Sequence, residues 1–182
     1  TLKKLYGIDP LNTSQDAVTK VLREHRLEVG KPSNLPRSID KLWKSARAGI
    51  DGPVFLVDIP AYLQPLAKTQ PGEPRLSEQF NVILGGTEAC KAYSEQNHPI
   101  VQLQSFLSQQ KMREAGDQEA QMLDIDFIEM LEYGMPPACG FGYSERLFWL
   151  LEGVTAREGV PFPQLRHETD SLTRLIYTDV KF

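Results

Sequence analysis

The sequence predicts an α+β fold: an antiparallel sheet flanked by helices. Three observations carry this. Apolar residues recur at helical spacing in the first fifty residues and again across 99–133. Two β-rich runs flank the paired glycines Gly85 and Gly86. The element order is helix, strand, hairpin, helix, helix, strand, helix, which points to an antiparallel sheet. With 182 residues, 41% hydrophobic and 24% charged, the chain has the size and composition for one packed domain or a domain plus a small appendage.

The elements follow in order. Asn12, Thr13 and Ser14 offer capping side chains, and Val18, Val21 and Leu22 then form an apolar stripe opposite Lys20, Arg23 and Glu24. Gly30, Pro32 and Pro36 interrupt. A second amphipathic helix starts at Ser38, uses Ile39, Leu42, Trp43 and Ala46, and closes at Gly49 and Gly52. Residues 1–52 thus read as a helical, insertion-like segment, and 53–182 as the main body. Residues 53–60 form a short apolar run between prolines, the pattern of a buried strand. Residues 62–74 read as a loop, 78–93 as a hairpin turning at the two glycines. Residues 99–115 and 124–133 read as helices, the second stopped by Gly134 and Pro136. Residues 138–143 make a glycine-punctuated strand, and 144–151 an apolar helix with Ser144 as its cap. Residues 160–165 are extended because proline biases its predecessor away from the α region. Trp43, Phe148 and Trp149 read as core.

Charge excludes one function class. A net charge of −4 and a pI near 5.4 argue against a general nucleic-acid-binding surface, which needs clustered Lys and Arg. Cys90 and Cys139 are too few for a disulfide framework or zinc site and read as reduced core residues. His25, His98 and His167 are scattered, without metal spacing. Nothing reads as a signal peptide, and no apolar run approaches the roughly 20 residues of a membrane span. Cytoplasm is the expected location. The chain starts at Thr1 without an initiator methionine, which suggests a piece of a longer polypeptide.

Two places could carry chemistry. Across the Gly85–Gly86 turn, Asn81 and Glu88 come from adjacent strands. On the return strand Lys91, Tyr93 and Glu95 share one face, and Glu88 has the other parity unless a bulge intervenes. Such a group can bind a divalent cation through oxygens, or an ammonium. A wetted sheet face carries the same residue types. The second place is residues 140–146, Gly-Phe-Gly-Tyr-Ser-Glu-Arg. Glycines at a strand end admit a flat ligand, and Arg146 in the first helical turn can meet a phosphate or stack on a base. Plain turn geometry explains the same glycines. The pattern is no dinucleotide fingerprint, since the third glycine is missing.

Taken together, these segments resemble class II lysyl-tRNA synthetases. The resemblance rests on residues 55–60 (Phe-Leu-Val-Asp-Ile-Pro) with 65–68 (Pro-Leu-Ala-Lys), then 77–99, which contain Gly-Gly-Thr-Glu-Ala-Cys-Lys-Ala-Tyr-Ser-Glu-Gln-Asn. It continues through 114–120, 131–137, 140–151 and 160–163. Residues 140–151 resemble the family's motif 3, and the helices before residue 53 resemble the insertion that follows motif 2. The resemblance implies a partial class II catalytic core, with ATP bound in a bent form and Mg2+ as cofactor. Arg146 would be the motif 3 arginine on ATP, with Gly142 beside it. Glu88 would be an ATP-site or magnesium ligand together with Asn81. Glu95 would pair with the ε-ammonium of lysine, with Tyr93 and Lys91 beside it.

The implied activity is lysine activation to lysyl-adenylate and transfer to tRNA. Implied partners are lysine, ATP, tRNA through the parent enzyme, the other half of the catalytic domain and a second subunit in a homodimer. There are departures. Asn81 stands where the family usually has a second magnesium-binding glutamate, and Lys91 where it has an asparagine. The stretch from Pro137 to Arg146 is one residue shorter, and Ser144 stands near a usual glycine. Nothing resembles motif 1, which makes the dimer interface, or motif 2, whose arginine positions ATP and the carboxylate. The chain alone should therefore be a poor catalyst. A paralogue with a non-tRNA acceptor, or a non-catalytic binding or regulatory module, fits the same segments.

Overall fold

Helical layers form first along the chain, because caps and apolar stripes coincide. The computed structural model describes residues 1–28, 33–162, 170–176 and 178, so the predicted breaks at Gly30 and Pro32, the second half of the predicted tail 160–165, and His167 lie outside it. A short helix, α1 (Leu2–Tyr6), ends at Gly7 in the left-handed region. α2 (Gln15–Glu24) starts where Ser14 Oγ accepts from the Ala17 amide at 3.3 Å. α3 (Leu35–Arg47), capped by Asn34, starts three residues before the expected Ser38. Pro36 was expected to interrupt; it sits in the first turn, where its missing N–H has no partner to lose. Val18, Leu22, Ile39, Leu42 and Ala46 bury the shared face of α2 and α3.

β1 (Val54–Leu56) is shorter than the expected strand, and it is an exposed edge strand: Phe55 is 64% exposed. Its neighbour lies on one side only, so its apolar run is half covered. The expected loop holds a single 3-10 turn at Ala61–Leu63 and then β2 (Thr69–Gln70), which pairs with β3 (Glu73–Ser77). β4 (Gln79–Leu84) and β5 (Thr87–Ser94) form the expected hairpin, with Gly85 and Gly86 at φ 54° and 70°. Both values favour glycine and suit a tight hairpin turn. The Gly85 and Gly86 amides donate to the Asp51 and Ile50 carbonyls at 2.7 and 2.8 Å, which seats the turn against the end of α3.

α4 (Pro99–Glu114) and α5 (Ile125–Glu132) pack through Phe106, Ile128 and Leu131. β6 (Cys139–Tyr143) adds to β5, so the main sheet is antiparallel in the order β1-β4-β5-β6. Cys139 is exposed on this edge strand and Cys90 half-buried, so neither is the core thiol expected; both are free.

The chain forms two compact units, residues 1–147 and 148–182. The helices of 1–52 belong to the first unit together with the sheet. α6 (Arg146–Glu152) starts two residues after the expected Ser144, whose Oγ accepts from the Arg146 amide at 3.2 Å. In the second unit, α7 (Ala156–Gly159) carries a reciprocal cap between Thr155 and Glu158, and a Cβ on Gly159 would collide with the Trp149 indole. α8 (Ser171–Ile176) follows. Phe148, expected in the core, is 55% exposed.

Candidate ligand-binding cleft

Strand alternation and one bulge build the site. In the β4–β5 ladder Asn81 pairs with Lys91, Val82 with Cys90 and Ile83 with Glu88, leaving Ala89 without a partner. The extra residue restores Glu88 to the face of Lys91, which spacing alone left open. The same face carries Gln79, Asn81 and Ile83 on β4 and Tyr93 farther along β5, and Glu95 follows one residue beyond the end of that strand. On β6, Gly142 pairs with Lys91 and Gly140 with Tyr93. A Cβ on Gly142 would meet nothing within 4 Å, so space is open beside Lys91. A Cβ on Gly140 would lie 2.7 Å from Glu95 Oε1. Glycine there lets the Glu95 carboxylate lie across β6.

A cleft of 890 Å3 opens over this face. Asn81, Glu88, Lys91 and Tyr93 line it, with Trp43 from α3, Leu56 from β1 and Gln64 from the loop before β2. Glu95, Gly142 and Arg146 are not among its lining residues. Arg146 is exposed at the start of α6.

Trp43, Arg47 and Gln64 were not anticipated in the site. Trp43 Nε1 donates to Glu88 Oε1 at 3.0 Å, and Arg47 Nη1 lies 2.9 Å from the same oxygen. Lys91 Nζ donates to Gln64 Oε1 at 2.9 Å and lies 5.4 Å from the Tyr93 ring centroid. Burial pushes the Lys91 ammonium below its ordinary pKa, with the Glu88 charge acting against it. Burial pushes the Tyr93 phenol up, helped by Glu95. Helical spacing on α3 hints at Trp43 and Arg47, which stand four residues apart on its inner side; nothing in the sequence hints at Gln64.

The metal expectation meets a poor fit here. Asn81 Oδ1 already accepts from Gln79 Nε2 at 2.7 Å, and the Glu88 charge is matched by Arg47. Lys91, on the same sheet face, adds a second positive charge that acts on Glu88. Mg2+ needs several oxygen ligands with negative charge to spare. Among the described residues no three His, Cys, Asp or Glu side chains are grouped to hold a metal.

The α3 helix is fixed over the cleft by a charged latch. Asp117, 4% exposed after α4, accepts from Asn34 Nδ2 at 2.9 Å and from Arg37 Nε and Nη2 at 3.0 and 2.9 Å. Arg37 holds this carboxyl well below the usual range, at about 2.

The helix-flanked antiparallel sheet, with its polar hairpin strand beside a glycine-bearing edge strand that leads into a helix, is that of a class II aminoacyl-tRNA synthetase. The family described as tRNA synthetases class II (D, K and N) matches residues 14–166, and the chain belongs to it. The chain is 43% identical over 164 residues to a lysine–tRNA ligase of Thermotoga maritima, covering 89% of this chain and 32% of that protein. It is 40% identical over 171 residues to the lysine–tRNA ligase of Fervidobacterium nodosum (93% and 33%). A third, from Thermosipho africanus, is 41% identical over 167 residues (91% and 33%). The chain thus spans about a third of the length of these curated relatives. No helix among the described residues is long and apolar enough to cross a membrane.

Proposed function

We propose that this chain is the substrate-facing part of a lysine–tRNA ligase, which activates lysine with ATP as lysyl-adenylate and passes it to tRNA. The observation that carries the reading is the row of side chains on β5 opposite the two glycines of β6. Glu95, lying across Gly140, takes the lysine ε-ammonium through a charge-assisted hydrogen bond, and Tyr93 lines the adjoining wall. Gly142 leaves room for the nucleotide, and Arg146 meets a phosphate at the start of α6. The magnesium that accompanies ATP then takes ligands other than Glu88 and Asn81. The groups that align ATP with the lysine carboxylate come from polypeptide outside this sequence, as does any dimer contact. A cytoplasmic location follows from the same reading.

Lysine-dependent ATP–pyrophosphate exchange by the native polypeptide that contains this sequence tests it. Glu95→Gln should lower kcat/KM for lysine about a hundredfold, since the ammonium loses its charged hydrogen-bond partner. Unchanged lysine dependence would remove Glu95 from the site. Arg146→Ala should weaken ATP binding, and an untouched nucleotide affinity would sink its role. The Arg47–Glu88 pair favours a second reading, a module of this family that binds its ligand without catalysis. ATP binding without any exchange would select that reading.

A further inference from the structure

We propose that the Lys91 end of the cleft binds an anionic oxygen group, phosphate or carboxylate, through the Lys91 ammonium and without a divalent cation. The inference rests on the reading of this cleft as the ligand site, and it assigns that end a charge preference.

Lys91 is central to the strand that faces the cleft, between Asn81 on β4 and Gly142 on β6. Both neighbours are uncharged. An ammonium has three N–H donors, and among the described residues one of them is used, on the neutral Gln64 oxygen. Gly142 leaves the β6 side open, so a ligand can reach the remaining donors. The one carboxylate nearby, Glu88, is matched by Arg47, whose side chain is 15% exposed. Two positive groups, Arg47 and Lys91, therefore stand against one negative group, Glu88. A half-buried cation without a carboxylate partner is costly, and an arriving anion offsets that cost. A divalent cation arriving there increases it. Lys91 thus supplies, from the chain itself, the positive charge that a metal would bring to an anionic ligand.

Calorimetric titration of the full chain separates the outcomes. ATP is titrated once in EDTA and once in excess Mg2+, and glutarate serves as the carboxylate probe. ATP affinity should agree within about threefold in the two buffers, and Lys91→Met should lower it about tenfold or more. Glu88→Gln removes the competing negative charge and should leave ATP binding as tight or tighter, whereas a metal ligand at Glu88 requires a loss. Lys91→Gln, which keeps a polar side chain of similar length, should behave as Lys91→Met and guards against misfolding. Glutarate binding that disappears in Lys91→Met places a carboxylate at the site; ATP binding with glutarate silent places a phosphate there. Affinity that rises about tenfold with Mg2+, or that survives both Lys91 changes, overturns the proposal. Magnesium-dependent ATP binding leaves the ligase reading standing, whereas loss of lysine-dependent exchange alone leaves the Lys91 site standing.

Discussion

The two faces of the four-stranded sheet obey the same alternation and have opposite chemistry. One face carries Gln79, Asn81, Ile83, Glu88, Lys91 and Tyr93, and the cleft and α3 lie over it. The other carries Phe55 against Phe80 at 5.5 Å between ring centroids, together with Phe141 and Tyr143, which are 66% and 73% exposed. An antiparallel sheet with one wet face usually turns its polar side to water. Here the polar side is the covered one. It tolerates cover because its groups find partners: Gln79 with Asn81, Lys91 with Gln64, Glu88 with Trp43 and Arg47. Gln79 Oε1 is a buried exception without a partner. Helix cover, then, follows the polar face on this sheet, and the apolar face is the one the described residues leave open.

The largest way to break the contrast is at Ile83. It is fully buried on the covered face, so Ile83→Ala removes packed methylenes and leaves a cavity. The expected loss is about 2–4 kcal/mol by urea unfolding. A loss below about 1 kcal/mol would mean that the covered face is loosely packed.

The Asp117 latch sharpens the contrast, because it holds the helix that covers the polar face. Asp117→Asn keeps the shape but removes the charge opposite Arg37, whose side chain is 32% exposed. With that exposure the cost should be about 1–3 kcal/mol, below the range for fully buried pairs. The pH dependence gives an independent sign. Asp117 is held at about 2, below its ordinary 3.8. A depressed carboxyl stabilises the fold fully above about pH 4 and loses that stabilisation as the pH falls towards 2. Stability measured against pH should therefore drop across this window in the unaltered chain, and drop less in Asp117→Asn. Equal acid slopes would show that the latch contributes nothing.

The unequal readability of the chain has a physical pattern. α2, α5 and the hairpin were visible because their signals are local: Ser14 and Asp124 cap, and Gly85 and Gly86 supply the turn. The ordered motifs placed the family, and the match to residues 14–166 agrees. Pro36 misled because its meaning depends on whether it falls in the first turn or inside a helix. Residues 53–60 misled because an apolar run does not state how many neighbours its strand will have. The bulge at Ala89 decides where Glu88 points, and it exists only in the pairing with β4. Gln64 and Trp43 meet their partners 27 and 45 residues away, beyond any periodic signal. Asn81, Glu88, Lys91 and Tyr93 were nameable as candidates from the sequence; the distant side chains that partner Glu88 and Lys91 were not.

The smallest expected effect lies on the open face, and it is the most direct measure of the contrast. Phe141 contributes an exposed ring on an edge strand, with a neighbour only on the β5 side. Phe141→Ser should change unfolding free energy by no more than about 0.5 kcal/mol, the ordinary range for surface positions. The same change should lower the fluorescence of an apolar dye such as ANS in proportion to the ring surface removed, since contiguous exposed apolar surface is what the dye reports. Ile83→Ala should do the reverse, with a large loss of stability and little change in dye binding by the folded chain. A Phe141→Ser chain that lost several kcal/mol would show that this face is covered after all, and the two faces would then differ in composition but not in burial.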